Sequence, residues 1–441
     1  MAPASRYDVL VLGAGAAGLV AAAELGRGGL RVLVLEARDR VGGRIWSQPQ
    51  PGLATPVELG AEFVHGEAEL TKELLAAAGS AALEIPPHHW MRSTNGLEPM
   101  DDLVPALKRA LQATRALQGR DRPFDELLRA HRRRLPGRLG TFARLVVEGF
   151  DAAEPARVSA QSIVEEWTEG GGVDAPQARP LGGYALLLEA LLESARQCGV
   201  RIVLQATVTE VEWSRGRVTC AAHRLGERFE ARARQAVITL PLGVLKLPGG
   251  GEGAVRFRPA LSEKQRALAQ LATGPVVKVM LRFHEAFWET LQGGRWRDAS
   301  FFHSPGAAFP TLWTSLPLRA PSLVAWAGGP KAARLGTMPR EAVLHEAVRC
   351  VAALFPGGRV SERVVSAQFH DWSADPFARG AYSYVTVGGR SARKRLAAPL
   401  RDTLFFAGEA TDDESAATVE GALRSGRRAA REVSERARRR G

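Results

Sequence analysis

Gly13, Gly15 and Gly18 stand between a short apolar run, Asp8–Leu12, and an Ala/Leu-rich stretch of helical character. A second apolar run, Val32–Leu35, ends at Glu36. Strand, glycine turn, helix and a second strand closed by an acid is the arrangement that holds a dinucleotide. Gly13 permits the tight turn, Gly15 lets backbone approach a pyrophosphate, and Gly18 lets helix pack on strand. The helix N-terminus then offers its amides and positive dipole end to the phosphates. Glu36, about 20 residues on, is placed to accept hydrogen bonds from the adenosine ribose.

The next residues, "EARDRVGGRIWS" (Glu36–Ser47), add the pair Gly42 and Gly43 followed by Arg44. A nicotinamide site has no need of this extension. A flavin dinucleotide lies extended, and a second close backbone approach with a guanidinium suits its pyrophosphate. This segment resembles that of the FAD-dependent amine oxidases, which comprise monoamine oxidases, polyamine oxidases and lysine-specific histone demethylases. "VELGAEFVHG" (Val57–Gly66), "AVITLPLGVLK" (Ala236–Lys246) and "LFFAGEAT" (Leu404–Thr411) resemble the same family in the same order. "DPFARGAYSYV" (Asp375–Val385) is similar to the demethylase and polyamine oxidase versions. The resemblance implies an α/β (α+β, two-domain) fold in which a Rossmann-like FAD-binding domain is interleaved with a mixed sheet-plus-helix substrate domain. It also implies that FAD is held by Arg38, Gly60, Ala61, Gly408, Glu409, Thr418 and Val419 besides the glycines, Glu36 and Arg44. The Val208 backbone would pair with adenine, and Trp372 would pack near the flavin edge.

Amine oxidation at a flavin removes a hydride from the carbon next to nitrogen. The amine must be neutral, so that its lone pair stabilises the developing iminium. An alkylamine is protonated up to a pKa near about 10.4, and apolar or aromatic walls favour the neutral form by making burial of charge expensive. The imine is hydrolysed in water, and oxygen reoxidises the flavin to leave hydrogen peroxide. Two of the four tyrosines, Tyr382 and Tyr384, are one residue apart, so a strand would send both to one face. The resemblance implies that Tyr382 is catalytic, one wall of an aromatic cage beside the flavin, with Tyr384 behind it. Ala381 stands where mammalian monoamine oxidases carry the cysteine that bonds to flavin, which implies non-covalent FAD. Thr418 stands where they have a second tyrosine, which implies a half-open cage that passes a longer amine.

Lys278, in "VVKVMLRF", matches the family's catalytic lysine that holds a water beside the flavin. On pattern alone the alternative is an edge-strand lysine that reaches to the surface. His65 matches the histidine that faces the substrate channel of polyamine oxidases, and its alternative is a helix cap. Phe63 replaces the usual tryptophan, and Glu62 occupies a position that is often neutral. Glu62 either offers a carboxylate to a second ammonium or points to solvent.

These residues need elements to position them. At 441 residues, two domains are the natural expectation. Residues 1–72, 179–272 and 374–441 are assigned to the FAD-binding domain, and 73–178 and 273–373 to the substrate-binding domain. The second group includes "DDLVPALKRALQATRALQ", with apolar residues at helical spacing. Net charge is +12, but arginine dominates the cations and the runs Arg132–Arg134 and Arg436–Arg440 read as solvated, so no nucleic-acid partner is expected. A polycation would need local carboxylates, for which Glu165, Glu166, Glu169, Asp101 and Asp102 are candidates. The three cysteines have no metal-ligand spacing, so no metal is expected and a reducing cytosol fits. No window approaches the ~18 apolar residues of a membrane span, and the N-terminus shows no signal peptide, so the chain reads as cytoplasmic, a monomer or homodimer. The function expected is oxidation of an amine, foremost a polyamine, with oxygen. The alternatives are a monoamine or L-amino-acid oxidase on the same fold, and a non-catalytic flavoprotein scaffold.

Overall fold

Alternation along the first strand decides how the nucleotide half is layered. Val9 and Val11 join an apolar cluster with the helices, while Leu10 and Leu12 join a separate cluster on the opposite face. The second strand, Val32–Leu35, divides in the same way, valines to one side and leucines to the other. The computed structural model describes residues 7–438 apart from 54, 101 and 169–174. Asp101 and Glu169, two of the carboxylates anticipated above, and the run's end at 439–440 lie outside the described residues.

Five strands form a parallel sheet in the order Arg201–Val203, Val32–Leu35, Val9–Leu12, Gln235–Ile238, Leu404–Phe406. All but the edge strand Arg201–Val203 are buried throughout and are made almost wholly of apolar residues. Helices Ala16–Arg27, Ala185–Gln197 and Val419–Arg438 cover the valine face. A four-stranded sheet built around the hairpin Ala206–Ser214 and Arg217–Arg224 covers the leucine face.

The second half is a seven-stranded mixed sheet. Its order is Val364–Asp371, Val276–Phe283, Ser322–Gly328, Thr311–Thr314, Phe301–His303, His89–Ser93, Gly96–Pro99. Residues 89–99 therefore share one sheet with strands from 276–371. Helices between Leu103 and Thr168 pack into a cluster of their own with Phe124, Phe142 and Trp167. Two short pairings lie between the halves: Val64–His65 with Gln177–Pro180, and Leu271–Gly274 with Tyr382–Val385. The strand Gln177–Pro180 thus straddles the boundary drawn at 178/179. Among the described residues no helix is long and apolar enough to cross a membrane, and no cluster of side chains could hold a metal.

Candidate active site

One cavity of about 1250 Å³ runs from the glycine turn and Glu36 to Lys278 and Tyr382. It exceeds the roughly 300–1,000 Å³ of a single-ligand pocket, so a dinucleotide and a second molecule fit together. At its nucleotide end the two glycine roles separate cleanly. A Cβ on Gly18 would lie 2.0 Å from the Gly13 carbonyl oxygen, so that position serves helix-to-strand packing. Gly18 is absent from the cavity wall, whereas Gly13, Gly15, Gly42 and Gly43 line it. A Cβ on Gly15 would meet nothing closer than the Gly42 carbonyl at 3.9 Å, which leaves that backbone open to close approach. The Gly42 amide donates to the Ala14 carbonyl at 2.8 Å, so the two glycine segments form one cradle.

Glu36 accepts hydrogen bonds from the Ala14 amide at 2.7 Å and the Arg38 amide at 3.0 Å. Its carboxylate ties the turn together at the cavity wall, beside Val208. Arg38 also lines the cavity, with its guanidinium engaged by Asp375 at 2.6 Å. Arg44 donates to Glu409 at 2.9 Å and to the Ala381 carbonyl. Glu409 in turn accepts from the Ser383 hydroxyl at 2.7 Å, which staples the glycine cradle to the tyrosine strand. Gly60, Ala61, Gly408, Thr418 and Val419 all line the cavity. So does Trp372, which is buried and donates from Nε1 to the Leu59 carbonyl at 2.8 Å. An open glycine cradle, a helix N-terminus and an acid at the end of the second strand fit a dinucleotide. Ala381 is on the wall, and no cysteine is.

Lys278 sits in an interior strand, flanked by Ser322–Gly328 on one side and Val364–Asp371 on the other, so it is no edge lysine. Only 3% of it is exposed. Its ammonium lies 2.6 Å from Glu62 Oε2, donates to the Gly60 carbonyl at 3.2 Å and faces the Trp313 ring at 5.7 Å. Glu62 Oε1 lies 3.0 Å from Arg179 and accepts from Trp313 Nε1 at 3.0 Å. Burial alone would raise the Glu62 carboxyl, but Lys278 and Arg179 outweigh it and hold the pKa below the usual range. This corrects the sequence expectation. Glu62 lines the cavity, yet it neither points to solvent nor stands free for a second ammonium, because two cations already claim it.

Across the cavity, Tyr382 donates from its hydroxyl to the Phe150 carbonyl at 2.7 Å. Burial, followed by the Asp151 and Glu166 charges, raises its phenol well above the ordinary value, so the ring stays neutral. Tyr384, on the same strand face, is buried among the helical-cluster residues behind it. Thr418 does not present a free hydroxyl. Its Oγ1 accepts from the Gly421 amide at 3.0 Å and donates to the Ser415 carbonyl, capping the last helix. His65 packs edge-on to Phe63 and Phe150, and burial lowers its pKa to about 4, so it is a neutral imidazole and not a helix cap.

The sequence reading missed Asp151. It lines the cavity at 8% exposure, and burial, then the Glu166 charge, pushes its carboxyl well above the usual range. Asp151 Oδ2 and the nearby Trp167 Nε1 both lack a partner of hydrogen-bond geometry. Glu166, on the helix Ala160–Thr168, reaches the same cavity from an exposed position, where desolvation raises its carboxyl against the pull of Arg393. Of the other anticipated acids, Glu165 lines the cavity and accepts from Arg390 at 2.8 Å, while Asp102 lies outside its wall. No local pattern in "GFDAAEP" marks Asp151; it matters only because the Phe150 carbonyl meets Tyr382 from 232 residues away.

Comparison with known proteins agrees with this geometry. The family model for flavin containing amine oxidoreductases matches residues 16–434. Lysine-specific histone demethylase 1 homolog 3 of Arabidopsis thaliana is 28% identical over 96% of this chain but only 29% of its own length. The chain spans about half or less of the demethylases it matches first. Polyamine oxidase 2 of Arabidopsis thaliana is 29% identical over 96% of this chain and 87% of its own. Cyclohexylamine oxidase from Brevibacterium oxydans IH-35A shares the fold with a TM-score of 0.80 at 20% identity, covering 99% of this chain and all of that one. The chain belongs to the flavin-containing amine oxidoreductase family.

Proposed function

We propose that the protein is an FAD-dependent amine oxidase whose preferred substrates carry a second ammonium, as polyamines do. The observation that carries the first part is a single cavity joining a dinucleotide cradle to Lys278 on one wall and Tyr382 on another. The second part rests on Asp151 and Glu166, which put two carboxyls, opposed by Arg393, beside Tyr382 in a chain of net charge +12.

FAD bound non-covalently along the cradle would take the hydride from the carbon next to nitrogen and pass its electrons to oxygen. The protein's residues do the rest. Gly13, Gly15, Gly42, Gly43 and Arg44 would hold the FAD pyrophosphate, and Glu36 and Val208 its adenosine. Tyr382, Phe63, Phe150 and the neutral His65 build an apolar wall that disfavours the ammonium at the reacting nitrogen. Lys278 places fixed positive charge where negative charge develops during reoxidation. Asp151 and Glu166 attract a second cationic nitrogen and orient the chain of the substrate. Thr418, small and committed to its cap, leaves the wall opposite Tyr382 open.

A second reading has one observation in its favour. Arg393 lines the cavity, and its Nε lacks a hydrogen-bond partner, as an amino-acid carboxylate would require. Hydrogen peroxide release from purified holo-protein across spermine, spermidine, putrescine, benzylamine, phenethylamine and L-amino acids at pH ~8–9 separates the readings, since more amine is then neutral. Turnover of the polyamines and not of amino acids supports the proposal. Turnover of amino acids alone transfers the site to Arg393, and no turnover of any amine removes the oxidase reading.

A further inference from the structure

We propose that Glu62 is the positioning residue for Lys278, holding its ammonium charged and fixed at the cavity wall, with Arg179 locking Glu62 in turn. The inference rests on the amine-oxidase reading above, because it concerns what Lys278 does there. An ammonium has three N–H donors. An ion pair with Glu62 Oε2 at 2.6 Å and a hydrogen bond to the Gly60 carbonyl at 3.2 Å take up two sides of the ammonium. Among the described residues none accepts the third, and Lys278 lines the cavity.

Both acceptors come from one short turn, "ELGAE", so that segment is a socket for the lysine. The socket packs so closely on Arg44 that it needs its glycine, because a Cβ on Gly60 would lie 1.9 Å from the Arg44 carbonyl oxygen. Nor can Glu62 swing away. Its other oxygen accepts from Arg179 Nε at 3.1 Å and Trp313 Nε1 at 3.0 Å. Arg179 is itself anchored to the Thr314 carbonyl at 2.9 Å and to that of Leu316. Two cations and one anion leave this wall with one net positive charge. Of the two cations only Lys278 lines the cavity, so without its anionic partner the cavity wall would lose its fixed ammonium, and the charge left on Arg179 would not replace it there. A salt bridge that merely fastens two segments would make a different prediction, because its effect would not pass through the lysine.

The test uses the FAD-loaded protein and two readouts, the rate at which oxygen reoxidises the flavin and the flavin reduction potential. In the wild type, reoxidation should be flat from pH 6 to 9. In Glu62→Gln the ammonium loses its anionic partner, so reoxidation should fall as pH rises, by about tenfold or more at pH 9. The potential should become more negative over the same range. Glu62→Asp should recover part of both. In a Lys278→Met background, Glu62→Gln should add nothing, the non-additivity of two residues acting as one unit. If Glu62→Gln does not accumulate, Arg179→Lys, which loosens the grip on Glu62 and keeps the charge, should give the same pH-dependent loss. A flat profile with an unchanged potential, or an equal loss in the Lys278→Met background, would overturn the inference alone. Lys278→Met reoxidising at the wild-type rate would instead remove the role of Lys278 and with it the reading on which this rests.

Discussion

Glu62 and Asp151 line one cavity, and their neighbours differ in sign. Glu62 lies between Lys278 at 2.6 Å and Arg179 at 3.0 Å, which hold its carboxyl ionised. Asp151 is raised by burial, then by the Glu166 charge, with Arg393 pulling the other way, and one of its carboxylate oxygens has no hydrogen-bond partner. Burial acts against the charged form of both, so the neighbours decide the outcome. One acid is a fixed part of the wall. The other is an acid with one carboxylate oxygen still open to a ligand. Net charge of the whole chain, +12, says nothing about either wall.

The largest break in this comparison is Lys278→Met, which removes the cation from the Glu62 side. Reoxidation by oxygen should slow about 100-fold, while anaerobic reduction by amine changes only a few-fold. Equal losses in both half-reactions, followed by stopped-flow absorbance, would take the lysine out of its assigned role. The Asp151 side is broken by Asp151→Asn, which keeps the shape and deletes the charge. For a diamine, KM should rise on the order of 10- to 100-fold, matching the ~1.5–3 kcal/mol of a charge-assisted hydrogen bond. For a monoamine of equal length it should stay within a factor of about two. The same contrast sets a pH dependence. Because burial, then the Glu166 charge, raises the Asp151 carboxyl, the diamine kcat/KM should fall as pH drops through its raised range, a limb the monoamine lacks.

Glu58 sharpens the comparison from outside the cavity. It accepts from the Ser47 hydroxyl at 2.7 Å and the Tyr184 amide at 2.8 Å, and burial raises it from 4.5 to about 7 against those hydrogen bonds. A raised carboxyl means that the folded state holds its proton more tightly than the unfolded chain. Stability from this group is therefore complete below pH 4.5 and is lost as pH rises through 7. Glu58→Gln should recover about 3 kcal/mol at pH 8 and almost nothing at pH 4, read from denaturant unfolding at both. An equal change at both pH values would show that proton binding is not the cause. The smallest effect belongs to Tyr382→Phe, which removes only the hydrogen bond to the Phe150 carbonyl. Amine oxidation should weaken a few-fold, consistent with about 1 kcal/mol, and FAD should stay bound. Release of FAD would make Tyr382 a packing residue.

The same contrast explains what the sequence disclosed. The glycine cradle was legible because its geometry depends on residues adjacent in the chain. Gly18 must lack a Cβ to let Gly13 and its own helix meet, and the strands on either side are plain apolar runs. The family resemblance located Lys278 and Tyr382, and the cavity brings them to one space. Glu62 was misjudged because its partner Arg179 is 117 residues distant in the chain. The three-dimensional coincidence of Asp151, Glu166 and Tyr382 leaves no periodicity or spacing to read. Charges found among partners from distant segments are the part of a site that sequence pattern conveys least.

The central claim is tested most directly by anaerobic bleaching of the purified holo-protein with putrescine and, separately, butylamine at pH ~8.5. The account predicts bleaching by both, with putrescine acting at a concentration at least about tenfold lower, since only it offers a second ammonium to Asp151 and Glu166. Equal potency of the two amines would contradict the acid-pair assignment, and a flavin that neither amine bleaches would contradict amine oxidation itself.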